Sequence, residues 1–308
     1  LATARTLGAT VHHQYRTVLN GVALTIDAAQ LDALAAQPGV KRIERSVPMH
    51  AADTTSVPWI GAPYVWGGLS GATGHGVTIA VIDSGIDYHH VTFGGAGRAA
   101  FAADNPTVIE PGSFPTTKVI AGIDLVGDNF DYTRPETARP DPDPLDGAFR
   151  TCGSAGHGTH IAALAAGYGV TPAGETYQGL YNEQVDFRSF PVGPGVAPDA
   201  RLIAVRVFGC NQLTTKSEIV IAGIDYAVEA GADVINLSIG SAYNSVYGLG
   251  FAAVERAVQA GVIVVGAAGN NGDTHGISGG YGAADAAISV AASLDGGITN
   301  DAVQIDAP

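Results

Sequence analysis

The chain has 308 residues, of which 46% are hydrophobic and 14% charged, enough to bury one large domain and a smaller companion. A formal net charge of −14 with only 15 lysines and arginines argues against a partner held by phosphate neutralisation, so no nucleic acid is expected. No apolar run reaches the ~18 residues of a spanning helix, so no membrane span is expected either.

The sequence opens at Leu1 with no charged-then-apolar leader, which neither shows nor excludes a secretory signal. In the first 53 residues, Val18 to Ile26 has the partial alternation of a strand. Asp27 to Gln30 has the spacing of a helix-capping box, Leu31, Leu34 and Ala35 give a short helix its apolar side, and Pro38-Gly39 stops it. A second strand is expected over Val40 to Val47, with Lys41, Arg42, Glu44 and Arg45 interleaved. Such a small α+β unit buries little by itself and needs a larger partner. The small polar residues from Ala51 to Ser56 form the expected linker, open to proteases.

The main body begins with an anchoring segment around Trp59 and Trp66. Val77 to Ile82 then forms a short, β-branched apolar run that ends in Asp83-Ser84-Gly85. It reads as a strand buried on both faces. A carboxylate at the C-terminal end of such a strand either makes a turn or stands where open α/β sheets hold their ligands. The insertion from Val91 to Arg150 contains one strand, Lys118 to Leu125, and the acids Asp128, Asp131, Asp141, Asp143 and Asp146. A structural calcium is conceivable there, but the ligand spacing is not that of an EF-hand and a solvated acidic loop is the expectation.

Small residues dominate from Gly153 to Gly167, the pattern of a helix packed closely on a sheet, with His157 at its glycine-rich start. His157 and His160 stand three apart, a spacing that can share a metal, yet no third ligand follows at a fitting distance. Cys152 and Cys210 are too few for a disulfide framework and fit no zinc spacing, which leaves a single disulfide or two inert thiols. Strand patterns over 201–208, 233–238, 262–267 and 287–292 alternate with helical patterns over 217–230 and 247–260. That alternation predicts an α/β fold with a doubly wound parallel sheet. The strand at 262–267 leads into Ala268-Gly269-Asn270, where the amide either makes the turn or faces the same sheet edge as Asp83 and His157.

An acid that orients an imidazole, a histidine that moves a proton and an amide that donates to an oxyanion are three parts of acyl-transfer machinery. On Val81-Ile82-Asp83-Ser84-Gly85-Ile86-Asp87, Gly156-His157-Gly158-Thr159-His160-Ile161-Ala162, Ala268-Gly269-Asn270, Gly195-Val196-Ala197-Pro198 and Asn236-Leu237-Ser238-Ile239-Gly240, the chain resembles the subtilisin-like serine proteases. Subtilisin itself is the reference case for an asparagine that donates to the oxyanion. The resemblance implies a three-layer subtilisin-like peptidase domain over 54–308 and an inhibitory propeptide-like domain over 1–53 whose opening strand is missing. It implies that Asp83 orients His157, that His157 is the general base and that Asn270 is the oxyanion donor. Ser238, Ile239 and Gly240 would pair with an extended polypeptide substrate, and Gly269 would line the pocket before the scissile bond. Further implications are secretion, no cofactor requirement, the chain's own propeptide as a partner and a Cys152–Cys210 disulfide. The insertion and the region from Tyr177 to Gly195 are similar to large members that carry a protease-associated insertion.

One part of the pattern is absent. The family's Gly-Thr-Ser segment does not occur in these 308 residues, and Ser154 is a poorly placed substitute. The expectation is therefore the front part of a larger enzyme, inactive alone because triad members act as a unit. A non-catalytic peptide binder, or a metal-dependent hydrolase built on His157 and His160, are the alternatives.

Overall fold

A computed structural model describes residues 2–15, 20–43, 48–51, 57, 60–68, 71–147, 152, 156–211, 213–240, 248–270 and 280–292. The N-terminal piece contains α1 (Ala2–Thr6), β1 (Thr10–Tyr15), β2 (Gly21–Thr25), α2 (Leu31–Ala35) and β3 (Pro48–Ala51). The body follows with α3 (Ala62–Gly67), β4 (Thr78–Asp83), α4 (Arg98–Ala103), β5 (Val119–Asp124), α5 (His157–Ala166), β6 (Arg201–Arg206), β7 (Thr214–Lys216) and α6 (Ser217–Glu229). It continues through β8 (Val234–Leu237), β9 (Ile239–Gly240), α7 (Leu249–Gln259), β10 (Ile263–Ala267) and β11 (Ile288–Val290).

The body is built on a six-stranded sheet in the order β11-β10-β8-β4-β6-β5, parallel throughout. From β4 the chain passes to the β5 edge and back through β6, then crosses to β8, β10 and β11 on the other side. The order therefore reverses at β4, and Asp83 ends that strand at the crevice where open α/β sheets bind ligands.

Side chains of β4 alternate between two cores. Ala80 and Ile82 join Ile203, Val205, Ile224 and Val254 beneath α6 and α7. Val81 joins Leu202, Ala204, Ile161 and Ala162 beneath α5. All three of these β4 side chains are fully buried, which accounts for the unbroken apolar run. Burial of a side chain the size of valine or isoleucine contributes about 1.5–3 kcal/mol.

In the N-terminal piece, β1 and β2 form an antiparallel pair, and Asp27 accepts from the Ala29 amide to cap a 3₁₀ turn ahead of α2. Strand β1 carries the polar run His12-His13-Gln14, which hides its strand character from an apolar pattern. Tyr15 at its end is buried in the core beneath α6, and its hydroxyl donates to the Glu218 carbonyl. This contact is how the small unit finds the larger surface it needs.

Two sequence expectations change here. Residues 40–43 have no regular structure, 44–47 lie outside the described residues, and the second strand falls at β3 instead. It does not pair within its own unit. It lies antiparallel between β7 and β9 of the body, so tertiary pairing rather than local alternation makes it a strand. The linker residues 52–56 lie outside the described residues. The acidic insertion is also not solvated as a whole, since Asp143 and Asp146 are fully buried.

Candidate active site

Helix α5 starts directly above the end of β4. A methyl group on Gly158 would collide with the Gly85 carbonyl and stand 3.0 Å from both the Asp83 Cβ and the Ser84 nitrogen. Only glycine allows this approach. Gly85 makes the turn beneath it at φ +99°, against Pro144 and Asp146. Backbone thus meets backbone, and the first helical side chain is set beside the strand's terminal carboxylate.

The result is a short contact between distant parts of the chain. His157 Nδ1 lies 2.8 Å from Asp83 Oδ1 and 2.9 Å from Oδ2. The Asp83 side chain is fully buried, while that of His157 keeps 11% of its surface exposed. Asp83 Oδ1 also accepts from the Ser84 amide at 2.7 Å. Both carboxylate oxygens are acceptors, so Nδ1 carries the proton and the neutral ring presents Nε2 as its basic nitrogen. An imidazole oriented in this way can take a proton at Nε2, with the buried carboxylate stabilising the imidazolium that forms.

The remaining expected site residues fall into two groups. Ser238, Ile239 and Gly240 are buried, and the Asn236 side-chain amide donates to Ser238 Oγ at 3.0 Å. Ile239 pairs with Ala51, and Gly240 pairs with His50. The antiparallel strand beside Ile239 and Gly240 in this structure comes from the chain's own N-terminal piece. Gly269 and Asn270 are exposed and follow β10. Because β8 lies between β10 and β4, the strand that Asn270 follows runs about 10 Å to one side of the strand that Asp83 ends. Among the described residues no hydrogen bond ties it to Asp83 or His157. Ser154 lies outside the described residues.

Cys152 and Cys210 are joined as a disulfide, between the loop ahead of α5 and the segment after β6. Beside it Arg206, fully buried, reaches Asp124 at 3.1 Å and Asp128 at 2.6 Å. Neither this knot nor its ion pairs followed from local pattern, because the partners come from separate segments.

The acids of the insertion are engaged by protein partners, and Asp104 and Asp143 share the Tyr88 hydroxyl. Asp128 is held by Arg206, Asp131 by Thr133 and Arg134, and Asp143 by the Tyr88 hydroxyl at 2.9 Å. Asp146 binds the start of α5. Among the described residues the only close group of metal-ligating side chains is Asp128, Cys152 and Cys210, and both of its cysteines are in the disulfide. These residues do not fit a calcium site, and His157 and His160 belong to no close group of metal-ligating side chains among the described residues. No helix is long and apolar enough to cross a membrane among the described residues.

Residues 74–301 match the model of the Subtilase family, and residues 3–52 match that of the Peptidase inhibitor I9 family. Minor extracellular protease Vpr of Bacillus subtilis is 29% identical over 300 residues, covering 92% of this chain and 30% of that protein. Subtilisin-like protease SBT2.6 of Arabidopsis thaliana is 29% identical over 290 residues, covering 84% of this chain and 32% of its own length. Subtilisin E of Bacillus subtilis is 28% identical over 271 residues, covering 87% and 53% respectively. The chain thus spans about a third of the length of the first two relatives.

Proposed function

Because the chain belongs to the subtilase family, we propose that it contributes the acid and base of a serine endopeptidase that cuts extended polypeptide. The observation that carries this reading is the 2.8 Å contact between His157 Nδ1 and the buried Asp83 carboxylate. In the proposed mechanism His157 Nε2 takes the proton of a serine hydroxyl as that oxygen attacks the scissile carbonyl. It then gives the proton to the leaving amine, a contribution of typically ~10²–10⁴ in rate. Asp83 holds the ring and offsets its charge. Asn270 donates its side-chain N–H to the tetrahedral oxyanion, a role worth about 10²–10³ in rate where such a donor has been removed.

Ser238 to Gly240 would receive the substrate backbone by strand addition, and Gly269 would border the pocket for the side chain before the cut. The pairing of β3 with β7 and β9 supports this groove as the substrate channel and residues 1–53 as its internal occupant. The peptidase unit would then occupy 54–308 and act outside the cell, where Vpr by its name acts. No cofactor takes part in the proposed steps.

These 308 residues hold no Gly-Thr-Ser segment, so the chain by itself is proposed to hydrolyse nothing. The test is expression of the gene from its natural start to its natural stop codon, with turnover of an extended chromogenic peptide as the readout. His157→Ala should lower kcat by about 10⁴-fold or more. Unchanged turnover in that variant, or serine-inhibitor-sensitive turnover by residues 1–308 alone, would overturn the reading. A groove that already holds a strand also suits a peptide binder that does not cut; a natural product with peptide affinity but no turnover would select it.

A further inference from the structure

We propose that Asp146 is a positioning residue for this dyad, holding the first turn of α5 at the angle from which His157 meets Asp83. The inference rests on the proteolytic reading above but on different atoms. Helix α5 has Gly156 at its cap position and therefore no capping side chain of its own. Asp146, fully buried, supplies the missing acceptor from another segment. Its oxygens accept from the Gly156 amide at 3.0 and 3.1 Å, from the Thr159 amide at 3.1 Å and from the Thr159 hydroxyl at 2.6 Å. The Ser84 hydroxyl donates to the same carboxylate at 3.2 Å and accepts from the Gly158 amide at 2.8 Å. The Ser84 amide in turn bonds Asp83.

One carboxylate therefore ties both sides of the contact, the helix that carries His157 and the turn that carries Asp83. All four groups that reach it are donors, which suits the ionised form. Burial pushes the Asp146 pKa up, and the bonds from Thr159 and Gly156 oppose that. A negative charge at a helix N-terminus is also favoured by the helix dipole. The charged and titratable groups facing this end of α5 are Asp83 from β4, Asp87 and Asp146 from the adjoining loops, and Arg206 from β6. Asp87 reaches the helix through its amide, which donates to Thr159 Oγ1 at 2.9 Å. Arg206 acts on Asp146 through charge.

A cap that served only folding would leave the chemistry of the ring unmoved. A positioning carboxylate changes it, because removing a nearby negative charge disfavours the imidazolium. The test uses ring-labelled histidine and NMR titration of the 308-residue chain, with Asp146→Asn and, separately, Asp83→Asn. Asp146→Asn should lower the pH midpoint of His157 by about half a unit to one unit and weaken the low-field Nδ1 proton signal. Asp83→Asn should abolish that signal. A folded Asp146→Asn chain whose midpoint stays within about 0.2 unit of the parent would overturn the proposal. A parent chain whose His157 ignores Asp83→Asn would instead overturn the dyad. Should Asp146→Asn not fold, Thr159→Val removes one donor and keeps the charge. It should speed exchange of the Gly156 amide and disturb the Nδ1 signal with a smaller midpoint shift, and no change in either measurement would overturn the proposal.

Discussion

Gly158 rests against the carbonyl oxygen of Gly85, and no methyl group fits between them. This backbone contact sets how far α5 stands from the end of β4, and so sets the reach of His157 to Asp83. Gly158→Ala should destabilise the chain by about 1–3 kcal/mol through overpacking, although alanine favours a helix interior by about 1 kcal/mol. The obstructing atoms belong to backbone and cannot turn aside. Urea unfolding should show the loss, while Gly193→Ala, with nothing within 4 Å of the added carbon, should leave the midpoint unchanged.

The disulfide between Cys152 and Cys210 closes a separation of 58 residues. In the chain-entropy account such a cross-link stabilises by about 4 kcal/mol, an upper figure when native strain is ignored. A methyl on Gly147 would strike both sulfurs, so the backbone there packs directly on the bridge. Reduction by dithiothreitol, or the double change Cys152→Ala and Cys210→Ala, should lower the urea midpoint by most of that amount. A midpoint that does not respond would show that the bridge contributes nothing to folding.

Strand β1 meets the body around a cavity of about 300 Å³ lined by His12, His13, Glu136 and Glu218. His13 titrates at about 4 there, pushed down first by burial and then by the charge of His12. His12 is lowered as well, by burial and by Lys216, with Glu136 opposing. A base whose folded pKa lies below its unfolded 6.5 is neutral in both states above that pH and adds no penalty. As pH falls from 6.5 towards 4, the unfolded chain binds the proton first and stability is lost. The N-terminal piece should therefore become more susceptible to limited proteolysis across this window, and His13→Phe should reduce the effect. An identical pH response in both proteins would reject this role.

Asp143 behaves in the opposite sense. Burial pushes its carboxyl up to about 7, against the pull of the Tyr88 hydroxyl. An acid with a folded pKa above its unfolded 3.8 keeps its proton longer in the folded chain. Its contribution is intact below about pH 4 and is lost as pH rises towards 7. Asp143→Asn retains an oxygen to accept from Tyr88 and removes the charge. Its melting temperature should match the parent near pH 4 and exceed it at pH 7; equal values at both would contradict the assignment.

The sequence by itself determined the sheet. Ala80 to Ile82, Leu202 to Val205 and their neighbours are apolar runs whose period and length are local properties, and Asp83, His157 and Asn270 announced themselves by the residues on either side. Strand β1 was hidden because its histidines break the apolar pattern, and β3 because it becomes a strand only by pairing with β7 and β9. Only the tertiary structure brought His157 Nδ1 to Asp83 across 74 positions, supplied Asp146 as the cap that α5 lacks, and buried Arg206 between two carboxylates. Backbone preference and hydrophobic period are decided within a few residues, whereas a hydrogen bond between distant segments exists only after the sheet order has brought their ends together.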